Sequence, residues 1–194
     1  MLRFLYLAGG TYLALCIAFL LLRPASPASH GGGAALGTPA GASDGATWFA
    51  AIKPYCNSVE VETAQQRFPA PTTADGLGYS AACFALAGRI DQARAAIERL
   101  PSGDRSYAAG IVFNTGHPVA DAGDDKSAGP IMELVIEYQP DNYMALYHAG
   151  MSEYVLGQPG PAAEHLRRFL QLYSSPDGWR SNAVEVLGRL SDNP

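Results

Sequence analysis

The stretch Met144–Tyr173, MALYHAGMSEYVLGQPGPAAEHLRRFLQLY, decides the fold. Gly157 stands where one helical pattern stops and the next begins, and a glycine supplies the left-handed or otherwise unhindered turn that such a junction needs. Ala162 comes five residues later, one turn into the second segment, where a small side chain lets two helices approach closely. Leu166 and Phe169 then recur at helical spacing and belong to a face buried against neighbours. Upstream the same columns return twice, as Gly123, Ala128, Met132, Val135 and as Gly88, Ala93, Ile97, Leu100. The glycines are 35 and then 34 residues apart. A period of that length, with helical spacing inside each copy, predicts an all-α chain of stacked helical hairpins. Proteins of this kind hold other proteins more often than they convert substrates.

These residues resemble the tetratricopeptide repeat, a helix–turn–helix unit of about 34 residues. Ala149-Gly150, Tyr154, Leu156-Gly157, Ala162, Leu166 and Phe169 fall on that family's alternation of small and large side chains. Pro140 matches the proline that closes the preceding repeat, and Pro101 plays a similar part after Leu100. A second copy, Gly78–Leu100, matches through Phe84, Gly88, Ala93 and Ile97. The middle copy departs from the pattern, because a long turn, TGHPVADAGDDK, separates its first helix near Ser106–Asn114 from Ser127–Tyr138. The family's signature tryptophan is absent from all three copies. The resemblance implies a solenoid of three to four helix pairs over residues 47–194, with first helices lining a concave groove. Tyr147, Met151 and Tyr154 share one helix face at i, i+4 and i+7, and Tyr107, Ile111 and Asn114 repeat that spacing one copy earlier. Rigid aromatic anchors with a polarizable methionine suit protein recognition on such a groove, whereas a stripe at this spacing also suits a core.

Residues 1–23 and 24–46 differ in character from the rest of the chain. Phe4–Leu22 is an uncharged run of 19 residues. As a helix it spans about 28 Å, close to the ~30 Å hydrocarbon core of a bilayer. A cleaved signal peptide competes with a membrane anchor, since Ser26-Pro27-Ala28 resembles a cleavage site, but the apolar run is longer than signal peptides use. A lipoprotein signal ending at Cys16 is disfavoured by Leu15 before it and by the apolar residues after it. Gly10, Ala14 and Ala18 lie at i, i+4 and i+8, a spacing that lets membrane helices pack closely. Arg3 precedes the run and Arg23 comes after it, with no further Lys or Arg until Lys53. The positive-inside tendency then places the amino terminus in the cytoplasm and the folded part outside it. Residues 24–46, rich in Pro, Ala, Gly and Ser, read as a flexible linker.

The folded part is acidic. The chain carries 13 basic and 18 acidic side chains; Arg3, Arg23 and Asp44 fall in the first 46 residues, leaving 11 and 17. This balance argues against nucleic acid, which needs a clustered positive face. Before the repeats, Thr47–Phe68 reads as a capping hairpin, with Thr47 as N-cap of a helix bearing Trp48, Phe49 and Ile52. Pro54 weakens that helix, Asn57-Ser58 opens a second one, and Pro69 ends it. Ser181–Leu190 reads as the closing helix.

Polar motifs point to no reaction. Cys56 and Cys83 suit either a structural disulfide in an exported domain or two buried thiols. No CxxC, CxxCH or HExxH occurs. His30, His117, His148 and His165 show no zinc-ligand spacing, although His148 and His165 can face each other across one hairpin. The run Asp121–Asp125 lacks the alternation of a calcium loop, and Asp125 suits the start of the helix near Ser127. No catalytic, cofactor or metal residue is therefore assigned, and neither nucleic acid nor a small-molecule substrate is expected. The expectation is a single-pass protein of a bacterial-type inner membrane whose periplasmic helical domain docks onto or stabilises a larger membrane complex. The alternative is a cleaved, soluble periplasmic module that binds an extended peptide.

Overall fold

Gly88, Gly123 and Gly157 all adopt left-handed backbone, with φ of +72°, +77° and +74°. Each closes a helix in the same manner. The amide one residue beyond the glycine donates to the carbonyl five residues back (Arg89 to Phe84, Asp124 to Val119, Gln158 to Glu153), and the glycine amide itself donates three residues back. This pair of bonds satisfies carbonyls that a helix end leaves without donors, and the left-handed residue it requires favours glycine. The next helix starts two residues after each glycine, so three copies of one turn generate three helix pairs.

The computed structural model describes residues 44–192. Among them every regular element is helical: α1 Gly45–Ile52, a 3-10 turn Lys53–Tyr55, α2 Val61–Arg67, α3 Ala74–Leu86, α4 Ile90–Glu98, α5 Ser102–Asp121, α6 Asp125–Tyr138, α7 Tyr143–Val155, α8 Pro159–Leu172 and α9 Gly178–Asp192. The pairs are α3/α4, α5/α6 and α7/α8. Helix α3 also packs broadly on α5, α6 on α7, and α9 on α8, while α1 lies on α3. None of these helices is long and apolar enough to cross a membrane. The expected span 4–22, including Gly10, Ala14 and Ala18, lies outside the described residues, as does the linker up to residue 43.

The repeated columns are the core. Ala93, Ala128 and Ala162 are buried, as are Ile97, Met132 and Leu166, and as are Leu100, Val135 and Phe169. Burying each of the large side chains stabilises the fold by roughly 1.5–3 kcal/mol. The central cluster joins Leu77, Ala81, Ile97, Val112, Ile131 and Val135 across the first two pairs. A second cluster gathers Leu146, Tyr147, Leu166 and Phe169 with Ala183 and Val186 of α9.

Several sequence expectations need correction. The middle copy has no long turn: α5 runs unbroken through Pro118 to Asp121, and its turn is as tight as the other two. Gly116 lets the helix sit close to its neighbour here. A Cβ there would stand 2.6 Å from Cγ2 of Ile131, so α5 lies directly against α6 at this point. Pro118 is exposed, so its ring does not disturb the packed face of the helix, and tertiary packing outweighs propensity. The linker ends earlier than expected, because Asp44, and not Thr47, caps α1: its carboxylate accepts from the Thr47 amide at 2.8 Å. Asn57 does not open α2 but folds an Asx turn ahead of it, accepting from the amides of Val59 and Glu60. Asp125 does stand at the start of α6, as its first residue, but the helix begins there and not at Ser127, and Asp124 caps it. The closing helix begins at Gly178, before Ser181.

Two devices, a disulfide and a hydrogen bond to Asp75, bind the capping segment to α3, and a third holds that segment together. Cys56 and Cys83 form a disulfide with their Cα atoms 4.8 Å apart. The Trp48 indole N–H, buried at the centre of its own apolar cluster, donates to the Phe68 carbonyl at 3.0 Å. The Asp75 carboxylate, at the start of α3, accepts from the Gly45 amide at 2.6 Å.

Candidate functional site

Helices α5, α7 and α9 carry most of the large apolar side chains that remain exposed: Tyr107 on α5, Tyr143 and Val155 on α7 with Leu156 capping it, and Trp179 and Val184 on α9. Tyr107 is the most open of the aromatic ones, at 58% of its full exposure. Asn114, two turns further along α5, is exposed too. Met151 and Tyr154 are half-buried against α9 and its cluster.

Ile111 and Tyr147, expected on the same groove, belong to the core instead. Ile111 packs in the central cluster, where its Cδ1 would lie 2.7 Å from a Cβ placed on Gly78 of α3. Tyr147 fills the space under the closing helix. Its ring meets Phe169 at 5.1 Å and Trp179 edge-on at 5.0 Å between centroids, and its hydroxyl accepts from the Asn182 amide group. The stripe at i, i+4 and i+7 therefore straddles a boundary, because α9 covers one part of it and leaves the rest open.

Beside this aromatic group the last two turns of α5 meet α7 through polar side chains. His117 and Asp121, four residues apart, project from one face of α5. Opposite them His148 projects from α7, and its Nε2 lies 2.9 Å from Nε2 of His117. Oδ1 of Asp121 is 3.6 Å from Nε2 of His117 and 3.8 Å from Nε2 of His148. The His117 ring stacks on Phe113 at 4.9 Å, and the His148 ring stands edge-on to Tyr147 and Trp179. His148 is almost wholly buried. Burial, together with the neighbouring His117, pushes its imidazole down to about 4, against the opposing pull of Asp121, so the ring is neutral at pH 7. Two imidazole nitrogens and a half-exposed carboxylate thus converge on one point, an arrangement able to share protons or to hold a cation.

His148 and His165 have different partners, and both serve helix packing. His165, on α8, places Nδ1 at 2.8 and 3.0 Å from the two carboxylate oxygens of Glu153 on α7. Burial pushes the Glu153 carboxyl above its ordinary range, and the His165 contact opposes that rise. The pair holds α7 to α8 and stands apart from the convergent cluster. Sequence reasoning misses His117 and Asp121 because it places both in a turn. Their i, i+4 spacing is visible, but it acquires meaning only once residues 115–121 are helical. Trp179 offers no signal of its own; its place depends on how α9 folds back.

No protein-family model, curated protein or solved structure matches this chain.

Proposed function

We propose that this protein is a non-catalytic scaffold or accessory subunit, tetratricopeptide-like in its folded part and anchored in a membrane by residues 4–22. It docks onto a larger membrane protein complex. The observation that carries this reading is the segregation of exposed apolar side chains onto α5, α7 and α9, with Tyr107 and Trp179 as the aromatic anchors. Aromatic side chains offer large, rigid contact area at low entropic cost, and they dominate the energetics of protein interfaces. The folded part carries more acidic than basic side chains, which fits a protein partner better than nucleic acid. The Cys56–Cys83 bond supports an oxidising, extracytoplasmic setting for the domain. Gly10, Ala14 and Ala18 supply a second contact, within the bilayer.

The test is affinity purification of the full chain in mild detergent, beside a Tyr107→Ala/Trp179→Ala variant and a Gly10→Leu/Ala14→Leu variant. A stoichiometric membrane protein should accompany the unaltered chain. Its recovery should drop on the order of tenfold or more in the first variant and measurably in the second. Recovery of the chain alone, or of the same partner in equal amount with every variant, would sink the proposal.

A further inference from the structure

The convergent cluster between α5 and α7 has the dimensions of a metal site. His117 Nε2, His148 Nε2 and Asp121 Oδ1 form a triangle with sides of 2.9, 3.6 and 3.8 Å. A point in its plane lies about 2 Å from all three atoms, the distance at which zinc holds imidazole nitrogen and carboxylate oxygen. Ligands of a tetrahedral zinc ion stand about 3.3 Å from one another, near the mean of these sides. These three are the one group of histidine, cysteine or acidic side chains among the described residues with such convergence.

We infer that His117, Asp121 and His148 bind one divalent ion of the zinc type at the junction of the second and third helix pairs. The donor set selects the ion. Two imidazoles disfavour magnesium and calcium, which take oxygen ligands, and suit the borderline ions of the later first transition row. Local structure favours the geometry as well. His117 and Asp121 sit at i and i+4 on one helix, a spacing that aims two ligands at one point, and the close seating of Gly116 against Ile131 fixes the rotation of α5 just before them. Phe113, Tyr147 and Trp179 wall the histidine rings on the inner side. Asp121 remains half-exposed, so a fourth position opens toward solvent and takes water.

The ion would add a direct tie between α5 and α7, beside the broad packing of α6 on α7 that already joins the two pairs. Helices α5 and α7 each pack extensively on α6 and touch one another little, so the cluster is their principal direct meeting point. Ligands from both helices, held by one ion, would reinforce the junction of the second pair with the third. An ion that binds the folded chain and not the unfolded one also raises the melting temperature by mass action. Zinc binding here requires no protein partner and stands or falls separately from the docking surface.

The experiment uses the full chain in mild detergent, purified without a polyhistidine tag and stripped of metal. Zinc is titrated by calorimetry, and cobalt(II) is added in parallel to read coordination from its visible d–d bands. One zinc per chain is expected, with a Tm rise of several degrees at saturating metal and a cobalt spectrum of tetrahedral intensity. His117→Gln should weaken binding by about a hundredfold or more, and Asp121→Asn by about tenfold. His165→Gln, which alters the separate pair with Glu153, should bind as the unaltered chain does. Because Asp121 is half-exposed, its variant keeps the test valid if the histidine variant folds poorly. Absence of stoichiometric binding, an octahedral cobalt spectrum, or undiminished affinity in Asp121→Asn would each overturn the site and leave a histidine pair sharing one proton.

Discussion

At the α1–α3 end, the polar groups that join the elements have partners within the chain. Cys56 is bonded to Cys83, the Trp48 indole donates to Phe68, and Asp75 receives the Gly45 amide. Apolar side chains fill the space between. At the α5–α7 junction the principal link is a trio of side chains, two imidazoles and one carboxylate, all aimed at a common point. The first arrangement is complete in itself. In the second, the two imidazole nitrogens share one hydrogen bond at 2.9 Å, and releasing its proton would leave two nitrogens and a carboxylate oxygen around one small volume. An end cap must exclude water and pair its own groups, whereas a junction whose polar groups pair only through one exchangeable proton can accept an ion in that proton's place. That contrast separates polarity that holds the fold from polarity that can hold a ligand.

The two regions part most visibly when the disulfide is removed. Cys56→Ala/Cys83→Ala should lower the unfolding free energy by about 3 kcal/mol, as loss of a crosslink closing a loop of this size generally does. Urea denaturation under non-oxidising conditions measures it, and zinc affinity should stay unchanged. A loss below about 0.5 kcal/mol would mean that the apolar cluster alone closes that end. A smaller effect belongs to the turns. Gly88→Ala and Gly123→Ala each force an alanine into left-handed backbone at a place where its Cβ meets no neighbour. Each should therefore cost about 1 kcal/mol by conformation alone, read as a lowered Tm. Equal costs would show that the two turns are equivalent despite their different surroundings. A larger cost at Gly123 would mean that the α5–α7 cluster depends on that turn.

The smallest effect sharpens the picture of the closed end. Hydrogen bonds from the Thr73 hydroxyl and then the Gly45 amide hold the Asp75 carboxyl below its ordinary value of 3.8. A carboxyl lowered on folding contributes stability that is present above that ordinary value and disappears as pH falls through the folded one. The stability difference between the unaltered chain and Asp75→Asn should accordingly be present at pH 7 and shrink as the solution is acidified below pH about 4. A gap independent of pH would show that the contact with Gly45 does not depend on the charge.

The repeat was legible because it rests on local rules. A glycine that must be left-handed, an alanine one turn later and large apolar residues at helical spacing are all consequences of single-helix geometry, and the buried alanines and large side chains of all three copies come from them. Asp44 and the extent of α5 were not legible in the same way. Capping depends on which of several nearby side chains reaches an amide, and Pro118 ends a helix in isolation unless a neighbour such as Ile131 holds the flanking turn in place. Tyr147 illustrates the same limit, since nothing in its own segment states that α9 covers it while Tyr107 stays open.

By itself the sequence determined an all-α character for the described residues, with three helix pairs each turning at a glycine, since turn chemistry and helical periodicity act over a few residues. Only the tertiary structure decided that residues 115–121 continue α5, that His117 and Asp121 meet His148 from a different pair, and which aromatic side chains remain at the surface. Those outcomes depend on side chains about 30 residues apart arriving at one place, and packing between helices, which no local pattern encodes, sets that meeting.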